Sequence, residues 1–276
     1  MAGPTPPRDA VRGKYDSPLF ALAAEAWAGN FHMGWFESPD EPLATAGERA
    51  TAMMAEAVAP QPGARVVEVA CGIGGTARHL ARRHGADVVA TNLSAAQCAQ
   101  GRAITAAEGL ADSIRFAAAD YHALPFRNRT FDVWWNQEAL LYSTDKERVF
   151  REALRVLRPG GCLMLSDLVV SDEAPDAAVD ELGRRISAPG FWSPGRYRAL
   201  FGRLGLRVRR ERDGFPHVAA TFDRVLGRLA ERRERFAAEL GTAEPVDAMM
   251  GRLALQRDRA AQGHLGWAWW VLDPSG

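Results

Sequence analysis

Val66-Val67-Glu68-Val69-Ala70-Cys71-Gly72-Ile73-Gly74-Gly75-Thr76-Ala77-Arg78-His79-Leu80 is the stretch that decides the fold. Its apolar start reads as a buried strand, its glycines as a sharp turn and its amphipathic end as a helix. Gly72, Gly74 and Gly75 carry no Cβ, so the backbone can bend there and approach a bound molecule closely. The turn feeds a helix N-terminus, whose free amide groups suit a polar or anionic ligand group. Strand, glycine-rich turn and helix in that order form a nucleotide-type cofactor site.

The dinucleotide fingerprint is met only loosely by Gly72-Ile73-Gly74-Gly75-Thr76-Ala77, and the P-loop pattern fails because no Gly-Lys-Ser/Thr follows. Glu68 stands four residues before the first glycine, with Ala70 and Cys71 between. This spacing resembles the E-x-x-x-G-x-G loop of class I S-adenosylmethionine-dependent methyltransferases. The resemblance implies that the Glu68 carboxylate lies under the loop while the glycine backbone receives the methionine part of the cofactor. A side chain at Gly74 is then expected to occupy ligand space. Many members carry an acidic residue where Ala70 stands, so this copy is a variant.

Four further segments follow in the family's order. Asp87 to Ser94 looks like the second strand, and Asn92 stands where the family usually has Asp or Glu for the ribose hydroxyls. It still donates and accepts hydrogen bonds but brings no charge. Gln97 sits in the first turns of the next helix. Ile114 to Phe126 resembles the third-strand motif, which implies that Asp120 meets the adenine amino group. Phe131 to Tyr142 resembles the fourth strand and pocket rim. Leu154 to Gly161 followed by Cys162 to Asp167 resembles the helix, Pro-Gly-Gly turn and fifth strand. The resemblance implies cofactor contacts from Glu68, Gly72, Gly74, Asn92, Leu93, Gln97, Asp120, Tyr121 and Asn136.

The fold it implies is α/β, a Rossmann-like class I methyltransferase sheet of seven strands whose last is antiparallel, lying between the fifth and sixth. An N-terminal helical lid and a helical insertion before the final strand are added to it. The organisation expected is a disordered, Pro/Gly-rich segment at 1–14, a helical lid at 15–60 and the methyltransferase domain at 61–276, with the insertion at 215–262. Leu206 to Glu211 reads as an Arg-rich sixth strand and Gly266 to Leu272 as the last.

The 276 residues suffice for one large domain with additions or two small ones. Lys+Arg and Asp+Glu number 34 each, so the chain lacks the basic footprint of a nucleic-acid binder. No apolar run is long enough to span a bilayer, and the start lacks the apolar core of a signal peptide. Cys71, Cys98 and Cys162 read as reduced, packed thiols, and no metal cluster is expected. These features describe a cytoplasmic enzyme with a small-molecule substrate and without nucleic-acid or membrane partners. A homo-oligomer stays open.

A closer resemblance spans roughly residues 15 to 272. Ala26 to Pro42, Asn136 to Ser143 and Gly263 to Ala268 are similar to segments of the bacterial sarcosine/dimethylglycine N-methyltransferases. Natural-product methyltransferases acting on sugars, indoles and isoprenoid diphosphates share the architecture. Two positions depart from those relatives. Tyr142 replaces a His at the fourth-strand rim, and Asp167-Leu168 replaces Asp-Pro at the end of the fifth strand. Both face the acceptor pocket in the family, which implies a different acceptor.

Methyl transfer from a sulfonium is an in-line displacement. A neutral amine attacks through its lone pair and needs no base, a hydroxyl needs a general base, and an alkene carbon leaves a cation and a proton to manage. Glu138, Tyr142 and Asp167, at the carboxyl ends of the fourth and fifth strands, are the candidates for such work. Each also has a packing or capping role open to it, as do His32 and His217 as bases. Trp27, His32, Trp35, Phe191 and Trp192, with Phe31 and Phe36, are the substrate-binding candidates. Such rings suit an ammonium group, an indole or a prenyl chain, or simply pack between lid and sheet.

The function expected is methyl transfer from S-adenosylmethionine to an amine or a specialised-metabolite intermediate. The alternatives are C-methylation of an indole, terpenoid or isoprenoid diphosphate and, more remotely, a cofactor-binding protein without catalysis. A dinucleotide oxidoreductase would need Asp at position 92 and a third glycine at the proper spacing.

Overall fold

The computed structural model describes residues 8–29, 31–188 and 190–275. In chain order it runs α1 (Arg8–Tyr15), α2 (Pro18–Ala26), α3 (Leu43–Val58), β1 (Arg65–Val69), α4 (Gly75–His84), β2 (Asp87–Asn92), α5 (Ala95–Ala107), β3 (Ile114–Ala118) and β4 (Phe131–Gln137). A 3₁₀ turn (Leu140–Tyr142) precedes α6 (Lys146–Val156), β5 (Leu157–Val170), α7 (Asp176–Ile186), α8 (Pro194–Arg203), β6 (Leu206–Asp213), α9 (Phe215–Leu240), α10 (Glu244–Ala261) and β7 (Leu265–Pro274).

The seven strands form one sheet in the order β3-β2-β1-β4-β5-β7-β6. β1 to β5 are parallel, and β7 runs antiparallel to both β5 and β6. This is the sheet the sequence implied. The central strands read as continuous apolar runs because helices cover both faces. Val66 and Val88 face a core shared with α3, α4, α9 and α10, whereas Val67, Trp134 and Leu165 face one built with α6 and α8. β6 closes the sheet as an exposed edge, and its arginines blunt that edge. Strand order reverses between β1 and β4, and the carboxyl ends of these strands open onto a crevice there.

Pro159-Gly160-Gly161 interrupts β5. Its register against β4 jumps from Phe131↔Leu157 to Val133↔Cys162, with Gly160 at φ +80°. No described helix is long and apolar enough to cross a membrane. The three cysteines are free and buried.

One expectation is corrected. From residue 8 onward the segment read as disordered forms helix α1; residues 1–7 lie outside the described ones. Aromatic contacts hold the helix. Tyr15 packs on Phe20 with ring centroids 4.7 Å apart and on Tyr142 at 6.0 Å. α2 and α3 flank the loop at 27–42, and α9 and α10 form the antiparallel pair between β6 and β7.

Candidate functional site

The glycine loop is shaped by its backbone. Ala70, Gly72 and Gly74 have φ of +55°, +56° and +80°, and Gly74 caps the N-terminus of α4. The Gly74 N–H donates to Cys71 O at 2.8 Å and the Cys71 N–H to Thr91 O at 2.9 Å, tying the loop to β2. Arg78 Nη1 donates to Ile73 O at 2.6 Å. Beneath lies Glu68, buried and accepting from the Ala77 N–H, and burial pushes its carboxyl up to about 8.

A Cβ at Gly72 would meet no protein atom within 4 Å. At Gly74 it would lie 2.5 Å from Cζ of Phe116. The open space is therefore at Gly72, and a side chain at Gly74 would run into Phe116 rather than into the ligand space expected for it.

A cavity of about 270 Å³ runs along this loop. Ala70, Cys71, Gly72, Ile73, Asn92, Leu93, Gln97, Tyr121, Glu138 and Tyr142 line it, and Tyr15, Ser17 and Phe20 close it from the N-terminal side. Asn92 Nδ2 donates to Gln97 Oε1 at 2.7 Å and to Gly72 O at 3.2 Å, so one amide joins loop, strand and helix. The Ser94 hydroxyl meets the Asp16 carboxylate, fastening the turn after α1 to the start of α5.

Asp120 and Asn136 are not on the cavity wall. Asp120 Oδ1 accepts the His122 N–H at 2.9 Å and pairs with His122 Nδ1 at 2.8 Å, while His122 Nε2 lies 2.8 Å from Ser143 Oγ. Its neighbours Ala119 and Tyr121 face the cavity instead. Asn136 is buried, with Nδ2 on Val69 O at 3.4 Å. Its side chain reaches across to β1, and Gln137 and Glu138 line the cavity in its place.

Glu138 follows β4 with φ +54°, an uncommon backbone for a non-glycine residue. Its Oε2 accepts the Met33 N–H at 2.9 Å, and the Ser166 hydroxyl and the Trp267 indole N–H lie beside the carboxyl and help to hold it. Burial pushes this carboxyl up to about 8. Tyr142 Oη meets Lys14 Nζ at 2.9 Å and Tyr15 Oη at 3.0 Å.

Glu138 and Tyr142 also line a second cavity of about 130 Å³. Its walls are mainly apolar and aromatic, with Phe20, Trp27, Phe31, Leu168 and Phe222, and α10 contributes Met249, Arg252, Leu253 and Gln256. Tyr15, Phe20 and Phe31 belong to both cavities.

Among the substrate candidates, Trp27 is in this second cavity and His32 is in the first. His32 Nδ1 lies 3.4 Å from Gln137 Nε2, and burial pulls its pKa down to about 4. A neutral ring follows at pH 7, an acceptor rather than an acid. Trp35, Phe191 and Trp192 line neither cavity, which corrects their expected placement. Trp35 stacks on His217 at 4.3 Å, Phe191 is buried in the core, and Trp192 packs on Tyr197 at 5.5 Å and under the Arg196 guanidinium. His217 Nδ1 accepts the Phe36 N–H at 3.2 Å, so it too is structural.

Asp167 is also away from both cavities. It is fully buried and accepts from Tyr197 Oη at 2.6 Å. Burial raises its pKa, opposed by the charge of buried Lys146, whose Nζ donates to Leu140 O at 2.7 Å and Ser143 O at 2.8 Å. The antiparallel pairing Asp167↔Ala268 lays β7 alongside it, so Asp167 stabilises the rim from within the sheet. The residues the sequence reading missed are Lys14, Tyr15 and Phe20 at the N-terminus and Arg252 and Gln256 on α10. None stands in a motif, and one cavity gathers them from the two ends of the chain.

The glycine cradle open at Gly72, the amide of Asn92 and the carboxyl ends of β1, β2 and β4 fit an adenosyl cofactor at the switch point. A methyltransferase domain model matches residues 66–161. The chain is 36% identical over 216 residues to a glycine/sarcosine/dimethylglycine N-methyltransferase of Actinopolyspora halophila, and that match spans 78% of this chain and 38% of the longer relative. It is 30% identical over 243 residues to a sarcosine/dimethylglycine N-methyltransferase of Aphanothece halophytica, across 87% of both. A crystal structure from Galdieria sulphuraria, provisionally assigned as a sarcosine dimethylglycine methyltransferase, superposes with a TM-score of 0.85 at 25% identity, covering 93% of this chain and 98% of that one.

The chain belongs to the S-adenosylmethionine-dependent methyltransferases, and S-adenosylmethionine is its cofactor. Within that family its sequence is similar to enzymes that methylate the nitrogen of glycine derivatives.

Proposed function

We propose that this methyltransferase acts on the nitrogen of a small amine held in the second cavity. The observation that carries the reading is the wall shared by the two cavities. It is built by Glu138, a buried carboxyl group, among the rings of Tyr15, Phe20, Phe31 and Tyr142.

The glycine-loop backbone, Asn92, Leu93 and Gln97 would hold the cofactor, and Glu68 and Arg78 fix the loop from below. When bound, S-adenosylmethionine supplies an electrophilic methyl group on a sulfonium. The chain's own task is to place a nucleophile against that methyl and keep water out, and positioning of this kind is worth about 7–11 kcal/mol. Apolar walls and the α1–α2 cover exclude water. Aromatic faces attract the methylammonium as it forms. In its ionised form the Glu138 carboxylate would accept an N–H of the amine and take that proton once the nitrogen has become cationic.

A second reading is favoured by one observation. A carboxyl lifted to about 8 is also matched to general-base work near neutral pH, which carbon methylation needs. A screen with methyl-labelled donor against amines, indoles, sugars and isoprenoid diphosphates, read by mass spectrometry, tests the proposal. Label on nitrogen is expected. Label on carbon selects the second reading, and transfer to sugar oxygen overturns both.

A further inference from the structure

The smaller cavity carries more positive charge than the protein itself answers. Lys14 Nζ lies 4.9 Å from the Tyr142 ring centroid and 5.5 Å from that of Phe20, and it meets no carboxylate among the described residues. Arg252, on α10, makes no ion pair and donates no hydrogen bond from its guanidinium among the described residues, yet it is half-buried. Every other arginine whose side chain is described and that lacks such a partner is exposed. Burial lowers the Arg252 pKa, as for a charge held away from water without a counter-ion. The carboxyl group of this cavity, Glu138, is itself shifted toward its neutral form.

Position gives the charge a direction. Glu138, Tyr142, Tyr15, Phe20 and Phe31 line both cavities, whereas Arg252 lines only the smaller one, with Gln256 one helical turn further along α10. Gln256 Nε2 donates to the Arg252 carbonyl at 3.3 Å, leaving the guanidinium untouched. A planar guanidinium presents a fork of N–H donors that matches a carboxylate in a bidentate pair.

We propose that Arg252 binds a carboxylate of the methyl acceptor on the wall of the cavity not shared with the cofactor. The inference rests on the amine reading in taking this cavity as the acceptor site. It adds that the acceptor carries an anionic group remote from its nucleophile, and that the helical insertion reads this group while the sheet reads the cofactor.

The test is calorimetric titration of the protein loaded with S-adenosylhomocysteine. The probes are dimethylglycine, butyrate and phenylacetate, each against its neutral amide, and inorganic phosphate. The wild-type chain is expected to bind each carboxylate at least ~10-fold more tightly than its amide, as for a hydrogen bond to a charged group. Arg252→Gln should erase that difference, and Arg252→Lys should restore part of it, because a point charge replaces the fork. Both variants should keep the wild-type melting temperature and S-adenosylhomocysteine affinity, since the guanidinium bonds to no other residue and stands outside the cofactor cavity. Carboxylates that bind no better than amides, or that bind Arg252→Gln unchanged, overturn the proposal, and so does a preference for phosphate. Carboxylate binding that depends on Arg252 without methylation of any amine would overturn the amine reading alone.

Discussion

Gly74→Ala and Gly72→Ala separate the packing role of the glycine loop from its ligand role. At Gly74, φ is +80° and an added Cβ would lie 2.5 Å from Cζ and 2.8 Å from Cε1 of Phe116. That ring has no room to retreat, because a Cβ at Gly101 would also lie 2.5 Å from it. Left-handed backbone costs an L-residue about 1–2 kcal/mol, and overpacking costs about 1–3 kcal/mol. Gly74→Ala should therefore lose about 2–5 kcal/mol of stability. At roughly 2–4 °C per kcal/mol for a chain of this size, the melting temperature should fall by about 4–20 °C. At Gly72, φ is +56° with no protein atom within 4 Å of the added Cβ, so only the backbone cost of about 1–2 kcal/mol applies. Its effect falls on the ligand instead. S-adenosylhomocysteine affinity should drop on the order of 10-fold or more, the loss expected when a methyl group intrudes on a fitted surface. Thermal unfolding and calorimetry of the two variants decide the matter. A Gly74→Ala protein as stable as wild type, or a Gly72→Ala protein with wild-type affinity, would refute this account of the loop.

If the acceptor is an amine, Glu138→Gln should reduce turnover by about tenfold or less, whereas carbon methylation should suffer a loss on the order of 10²–10⁴. A base at Glu138 works only when ionised, so its rate rises with pH toward about 8, and in the Gln variant that rise should vanish. Glu68 sets a stability slope of known sign. Its carboxyl is raised from 4.5 to about 8 in the fold, so across that window the folded chain holds a proton the unfolded chain releases, and stability falls as pH rises, by up to about 5 kcal/mol. Glu68→Gln should lose less melting temperature between pH 5 and pH 8 than wild type, and equal slopes would count against the burial account. Residues 15–36 should gain hydrogen-exchange protection when the cofactor binds, because Tyr15, Phe20 and Phe31 line its cavity. Unchanged protection would mean that these helices do not act as a lid.

The parallel strands were legible because both of their faces are buried, which leaves apolar runs such as Cys162 to Leu165 directly after Gly161. The glycine loop was legible because backbone at positive φ selects for glycine. The wrong assignments share a cause. Asn136 and Asp167 lie on strands whose alternation sends each side chain to one face or the other, and the motif does not state which. Trp35 and Trp192 looked like pocket walls because large rings serve a core and a ligand equally well. Helix α1 was hidden because its stability comes from Tyr15 against Tyr142, a contact across 127 residues that no local propensity registers. Arg252 was one charge among many on α10, and only the absence of a partner in three dimensions singled it out.

A crystal structure of the chain with S-adenosylmethionine tests the central claim most directly, that two cavities meet at Glu138 to bring donor and acceptor together. The account predicts the methionine part along Gly72 and Ile73, the ribose at Asn92, and the sulfonium methyl at the wall shared by the two cavities beside Glu138 and Tyr142. A methyl group directed away from that wall, with no path from it to Trp27 and Arg252, would contradict the account.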